Sequence, residues 1–215
     1  MPIPLRIVLK INKEFAMNEE KMRSSTVERN TKETKIEVSL NLDGEGRYEI
    51  DTGVKFFDHM LSGFARHGLF DLTVKVDGDI EVDDHHTIED TGIVLGTAIR
   101  QALGDKSGIR RYGSSILPMD ETLVMTAVDL GGRPYFRFQG EFDTDRCGDM
   151  STQMVREFFY AISYSAAMNL HMKILDGVND HHKAEALFKS FARALSEAAA
   201  KDPEIHGVLS TKGSI

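Results

Sequence analysis

Hydrophobic and polar positions change period several times along the chain. Ile36, Val38, Leu40 and Leu42 alternate with polar residues, the pattern of a strand with one buried face. Asp43-Gly44-Glu45-Gly46 predicts a turn, and Arg47–Asp51 a returning strand. Phe56, Phe57, Met60, Leu61 and Phe64 recur at three- and four-residue spacing, which predicts a helix. Leu72, Val74 and Val76 alternate again. A second helix follows with Ile88, Leu95, Ile99 and Leu103, and Asp84 stands where its carboxylate would cap the free first-turn amides.

The order then repeats. Val124, Thr126, Val128 and Leu130 predict a strand, Gly131-Gly132 a turn and Tyr135–Phe138 a return strand. Phe158, Phe159, Ile162 and Ala166 predict a helix, Leu170, Met172 and Ile174 a strand, and Asp180 opens a last helix with Leu187, Phe191 and Leu195. His85-His86-x-x-Glu89 and His181-His182-x-x-Glu185 are offset by 96, and at that offset Asp84 meets Asp180 and Leu95 meets Phe191. The preceding strands match at 98, where Leu72 meets Leu170. The chain is thus an internal duplication. The expected fold is α+β, two similar β-β-α-β-α halves with helices laid on sheets, spanning residues 31–120 and 121–215 and forming one catalytic domain. Residues 1–30, polar and charged over Asn18–Arg29, read as a mobile N-terminal extension.

Composition narrows the function classes. Apolar residues make up 41% of the 215, enough for a real core, and the net charge of −8 argues against a bulk-basic nucleic-acid binder. The single cysteine, Cys147, excludes an intrachain disulfide and any cysteine-based zinc cluster. No apolar run approaches the roughly 18 residues of a membrane span, and Ile7-Val8-Leu9 is too short for a signal-peptide core. The expectation is a cytoplasmic protein with no nucleic-acid and no membrane partner.

The chemistry lies in Asp-His-His-x-x-Glu, present twice. Residues four apart on a helix project within about 40° of each other, so His85 can share a target with Glu89, and His181 with Glu185. An adjacent histidine is turned by about 100° and addresses a different point. The pattern therefore predicts two metal sites, with each copy contributing to both. Six ligands leave two four-ligand sites incomplete. His59 is a candidate for the seventh, and its counterpart at the 98 offset is Glu157. Imidazole and carboxylate without sulfur favour Mn, Fe, Co or Zn over Ca or Mg. The zinc-protease patterns fail, because Asp90 and Ala186 stand where the inverted form needs histidine. Two further readings stay open: a scaffold that uses metal only to join subunits, and a phosphate-ester metallohydrolase.

Several motifs in one order resemble the imidazoleglycerol-phosphate dehydratase family over about residues 29–213. They include Phe56-Phe57-Asp58-His59-Met60-Leu61, His67-Gly68-Leu69-Phe70-Asp71, Asp83-Asp84-His85-His86-Thr87-x-Glu89-Asp90, Arg111-Tyr112-Gly113, Gly132-Arg133-Pro134-Tyr135, Asn179-x-His181-His182-x-x-Glu185-x-x-Phe188-Lys189 and Ser210-Thr211-Lys212-Gly213. The resemblance implies a ribosomal protein S5 domain 2-like fold and a di-manganese site (two Mn²⁺ per active site) that binds the imidazole of a small phosphorylated substrate. The implied metal ligands are His59, His85, His86, Glu89, Glu157, His181, His182 and Glu185, and Glu157 departs from members that carry histidine there. His86 and His182 are implied in catalysis with Glu33, the acid/base that moves protons while the metals act as Lewis acids. His67, Arg111, Arg133, Lys189, Ser210, Thr211 and Lys212 are implied in substrate binding, the basic groups and hydroxyls toward phosphate. His171 reads as structural or supporting. The resemblance also implies a homo-oligomer, a 24-subunit shell with active sites at subunit interfaces.

Overall fold

The computed structural model describes residues 23–214. The expected extension lies largely outside the described residues, but its last part is ordered. Ser24–Asn30 is strand β1, with alternating exposure, and it pairs antiparallel with β2, Thr34–Asn41. Residues 24–30 therefore belong to the first sheet rather than to an appendage. The pairing with β2 supplies their backbone hydrogen bonds.

The first half continues with β3 (Tyr48–Asp51), α1 (Lys55–Gly68), β4 (Asp71–Gly78) and α2 (His85–Leu103). The second half runs β5 (Tyr112–Met119), β6 (Thr122–Asp129), β7 (Tyr135–Gln139), α3 (Gln153–Ser165), β10 (Asn169–Asp176) and α4 (Asp180–Ala199), with a small hairpin, β8 (Arg146–Cys147) and β9 (Met150–Ser151), inserted before α3. The sheets are ordered β1-β2-β4-β3 and β5-β6-β10-β7, so the two halves share one topology, each with a strand more at its start than the hydrophobic pattern showed.

The alternation in β2 has the expected consequence. Ile36, Val38 and Leu40 are buried opposite Val76, Val74 and Leu72 of β4, while Lys35 and Glu37 face out. One expectation changes. The return strand β3 does not fold back on β2; it runs parallel to β4 at the sheet edge, with β4 between it and β2. The turn is carried past the sheet by Asp71 at the start of β4, whose carboxylate accepts the backbone N–H of Glu45 at 2.9 Å and of Arg47 at 3.0 Å.

Helices of one half pack on helices of the other, α2 against α3 and α1 against α4, and the sheets cover them. A single hydrophobic core runs through both halves. Phe57, Phe158, Phe159 and Phe188 are fully buried at its centre; Phe158 and Phe188 stack at 5.1 Å, and Phe57 meets Phe158 edge-on at 5.1 Å. Such pairs add about 0.5–1.5 kcal/mol each beyond their buried area.

The halves diverge at the helix crossings. A Cβ on Gly96 would lie 2.8 Å from the Ile162 carbonyl oxygen and 2.8 Å from the Ser165 Cβ, and one on Gly92 2.9 Å from the Phe158 carbonyl oxygen. At the 96 offset Gly92 becomes Phe188 and Gly96 becomes Ala192. The α2–α3 crossing is thus closed by backbone contact, whereas the α1–α4 crossing is filled by a phenyl ring. Gly96→Val is expected to lower stability by about 1–3 kcal/mol through overpacking, read as a fall in the urea midpoint. An unchanged midpoint would show that the helices separate at no cost.

Candidate metal centre

Both Asp-His-His-x-x-Glu copies sit at helix starts, as the spacing predicts. The caps differ from expectation. The Asp84 carboxylate does not cap α2; Asp83 Oδ1 takes the His85 N–H at 2.8 Å, and at α4 Asn179 Oδ1 takes that of His181 at 2.9 Å. Asp84 and Asp180 are buried and turn to the 143–151 segment instead. Asp84 accepts from the backbone N–H and the hydroxyl of Ser151, and Asp180 accepts from the N–H of Asp143 at 2.9 Å and of Thr144 at 2.7 Å. Asp149 in the same segment accepts the N–H of Lys55 at 2.7 Å and of Phe56 at 2.8 Å, at the start of α1. One short stretch thus fixes the beginnings of α1, α2 and α4.

Because α1 packs on α4, His59 reaches the second motif. His59 Nε2 lies 3.4 Å and His181 Nε2 3.0 Å from Glu185 Oε2. One ligand atom from each of these three residues falls within 4.8 Å of the others. Phe56 packs edge-on against the His181 ring at 5.0 Å and covers one side of the cluster. Glu185 is buried, which by itself raises a carboxyl, but the Lys189 ammonium at 2.7 Å, with help from His59 and His181, outweighs burial and holds it below the ordinary glutamate value. It is an ionised carboxylate between two imidazoles, a donor set of nitrogen and oxygen without sulfur that suits a divalent first-row metal.

The first motif is more open. His85 Nε2 and Glu89 Oε2 stand 3.6 Å apart, and among the described residues no third ligand closes on them. Glu157 on α3 is half-buried and shares with Glu89 the neighbourhood of Tyr160, whose hydroxyl is pushed up first by Tyr164 and further by these two carboxylates.

The second histidine of each copy turns away from the first, by ring centroids 6.0 Å apart for His85 and His86 and 6.1 Å for His181 and His182. His86 Nδ1 meets Asp79 Oδ2 at 3.0 Å, and its Nε2 has Glu33 Oε1 at 4.0 Å. His182 Nδ1 meets Glu121 Oε2 at 2.8 Å, and its Nε2 has Asp120 Oδ2 at 3.7 Å. The bonded carboxylates raise both histidines. Glu121 is pulled down to about 2, mainly by the Asn179 N–H and then by His182. Neither Glu121 nor Asp79 lies in the histidine motifs, and sequence spacing alone does not connect either to His182 or His86. The signal for Asp79 was its place directly after the strand that leads to the motif.

The basic residues divide into two places. Arg111, Arg133, Ser210, Thr211 and Lys212 line one open pocket of about 930 Å³. Arg111 adopts a left-handed backbone, φ 69°, and is anchored by Asp129 at 2.7 Å and by the Leu209 carbonyl at 2.8 Å, to which it donates. Lys189 is not in that pocket; it stands with Glu185, and with burial its charge lowers His67 on the facing helix. His171 is exposed on β10 against the Tyr135 ring at 5.5 Å.

Comparison with known proteins finds one family. The family model of imidazoleglycerol-phosphate dehydratase matches residues 52–195. The imidazoleglycerol-phosphate dehydratase of Lachnoclostridium phytofermentans is 62% identical over 193 residues, covering 90% of this chain and 98% of that protein. That of Streptococcus mutans is 59% identical over 194 residues, covering 90% and 100%. Among solved structures, the Staphylococcus aureus imidazoleglycerol-phosphate dehydratase superposes with a TM-score of 0.76 at 36% identity, covering 83% of this chain and 99% of the other. The Pyrococcus furiosus enzyme, in complex with (S)-C348, superposes with 0.75 at 33% identity, covering 88% and 100%. The chain belongs to the imidazoleglycerol-phosphate dehydratase family, the hydro-lyases of histidine biosynthesis.

Proposed function

We propose that this chain dehydrates D-erythro-imidazole glycerol phosphate to imidazole acetol phosphate, using two manganese ions per active site. The convergence of His59, His181 and Glu185 within 4.8 Å, in a chain of this family, carries the reading. His59, His85, His86, Glu89, Glu157, His181, His182 and Glu185 would hold the ions. When bound, manganese supplies Lewis acidity to the imidazole nitrogens of the substrate.

The side chains of the protein do the rest. The reaction breaks a C–H bond at the carbon next to the phosphate-bearing carbon and the C–O bond at the carbon attached to the ring. The proton and the hydroxide leave as water, and the enol becomes the ketone. Glu33 is exposed, sits in the β1–β2 turn and has its carboxylate 4.0 Å from His86 Nε2, a position from which it can take and return a proton. The pocket of Arg111, Arg133, Ser210, Thr211 and Lys212 offers guanidinium, ammonium and hydroxyl donors suited to a phosphate. Lys189 and His67 stand beside Glu185 rather than in that pocket, and their substrate-binding role remains part of the proposal.

Among the described residues of one chain the ligands stand in separate groups, and no third ligand closes on the first motif. A second copy would supply it. This supports a homo-oligomer, the 24-subunit shell of the family, with sites completed between subunits; a cytoplasmic location is part of the same proposal. No described helix is long and apolar enough to cross a membrane. The direct test is metal-stripped protein given Mn²⁺ and the substrate. Imidazole acetol phosphate is the expected product. Release of inorganic phosphate would instead mark a phosphate-ester hydrolase, and Mn²⁺ binding without turnover a scaffold.

A further inference from the structure

We propose that Asp79 and Glu121 are positioning residues, each holding the Nδ1 of a motif histidine so that its Nε2 is presented to the metal site. The proposal rests on the reading above. A carboxylate only accepts, so the proton of each ring is drawn to Nδ1 and the Nε2 lone pair is left as the ligand atom. This matches the other motif members, whose Nε2 atoms are the ones facing Glu89 and Glu185. The Glu121 carboxylate is held at both oxygens, and the Asp79 backbone is tied on both sides. The second oxygen of Glu121 accepts the N–H of Asn179 at 2.8 Å and of Val178 at 3.2 Å. The backbone of Asp79 donates to the Glu33 carbonyl at 3.1 Å and accepts from Val82 at 2.8 Å.

The duplication makes the case stronger. The β1–β2 and β5–β6 turns match at an offset of 88, which pairs Thr34 with Thr122 and Glu33 with Glu121. The strand ends match at 98, which pairs Asp79 with Gly177. The two halves thus place a carboxylate on the same histidine nitrogen from non-equivalent positions. Inheritance alone would have kept one position; a shared demand on the histidine accounts for two. The exchange also leaves Glu33 unbonded to Nδ1, facing Nε2 instead.

The test is Mn²⁺ titration of the full-length protein, read from the paramagnetic resonance signal of free Mn²⁺. Asp79→Ala and Glu121→Ala are expected to weaken binding about 10- to 100-fold. Asp79→Asn and Glu121→Gln keep an oxygen acceptor and are expected to recover most of the loss. Asp77→Ala, which removes only an exposed pair with Lys35, is expected to bind as the parent does. Alanine variants within twofold of the parent would overturn the proposal. So would Asn and Gln variants as weak as Ala, or a lower melting temperature of stripped variants with unchanged affinity. A parent that binds no Mn²⁺ would remove the proposed function itself, a result distinct from these.

Discussion

Glu33→Gln is expected to lower turnover by about 10²- to 10⁴-fold while leaving Mn²⁺ affinity close to that of the parent. The side chain keeps its size, loses its proton-accepting charge and, among the described residues, has only the 4.0 Å approach to His86 at its carboxylate. Its backbone N–H is tied to the Thr31 hydroxyl at 3.1 Å, so the turn itself survives the substitution. The contrast with Glu121 sharpens the expectation. The two glutamates occupy matching turns, yet Glu121 is fixed by two backbone amides and His182, and has no freedom to exchange a proton. Steady-state kinetics at saturating Mn²⁺, with the titration described above as control, separates the two roles. Full turnover by Glu33→Gln would reject Glu33 as the acid/base.

Removal of metal is the second large effect. Chelation is expected to abolish turnover and to convert a large particle into smaller oligomers, because ions held by ligands from two subunits couple binding to association. Light scattering with and without chelator reads this directly. An identical mass in both conditions would count against shared ligation. His85→Ala and His182→Ala are expected to act in the same direction without chelator, since each removes one imidazole from a different motif copy. Full activity in both variants would reject the ligand assignment.

Local periodicity was enough to locate α1, α2, α3 and α4, because each buries one stripe in a single core. The repeat offsets were enough to align the halves, and the four-residue helix spacing to bring Glu185 beside His181. His59 was reachable by counting ligands, and the α1–α4 packing brings it to Glu185. What stayed hidden depends on partners far apart in the chain. Nothing near Asp84 indicates that its carboxylate binds Ser151 rather than its own helix. Nothing near β3 indicates that β4 lies between it and β2. Asp79 looks like one acidic residue among many until the fold sets it against His86. Helix periods are written in neighbouring residues, whereas strand order and carboxylate partners are decided by which surfaces meet.

The 143–151 stretch has a consequence for the history written into the chain. The first half crosses from β3 to α1 with three residues, Thr52–Val54, whereas the second half uses residues 140–152 for the same step and places a hairpin there. That connection serves helix starts in both halves, through Asp149, Asp84 and Asp180. Covalent fusion of the repeats is what allows one copy to lengthen while the other stays short, so the asymmetry marks the point at which a tandem pair stopped being interchangeable modules.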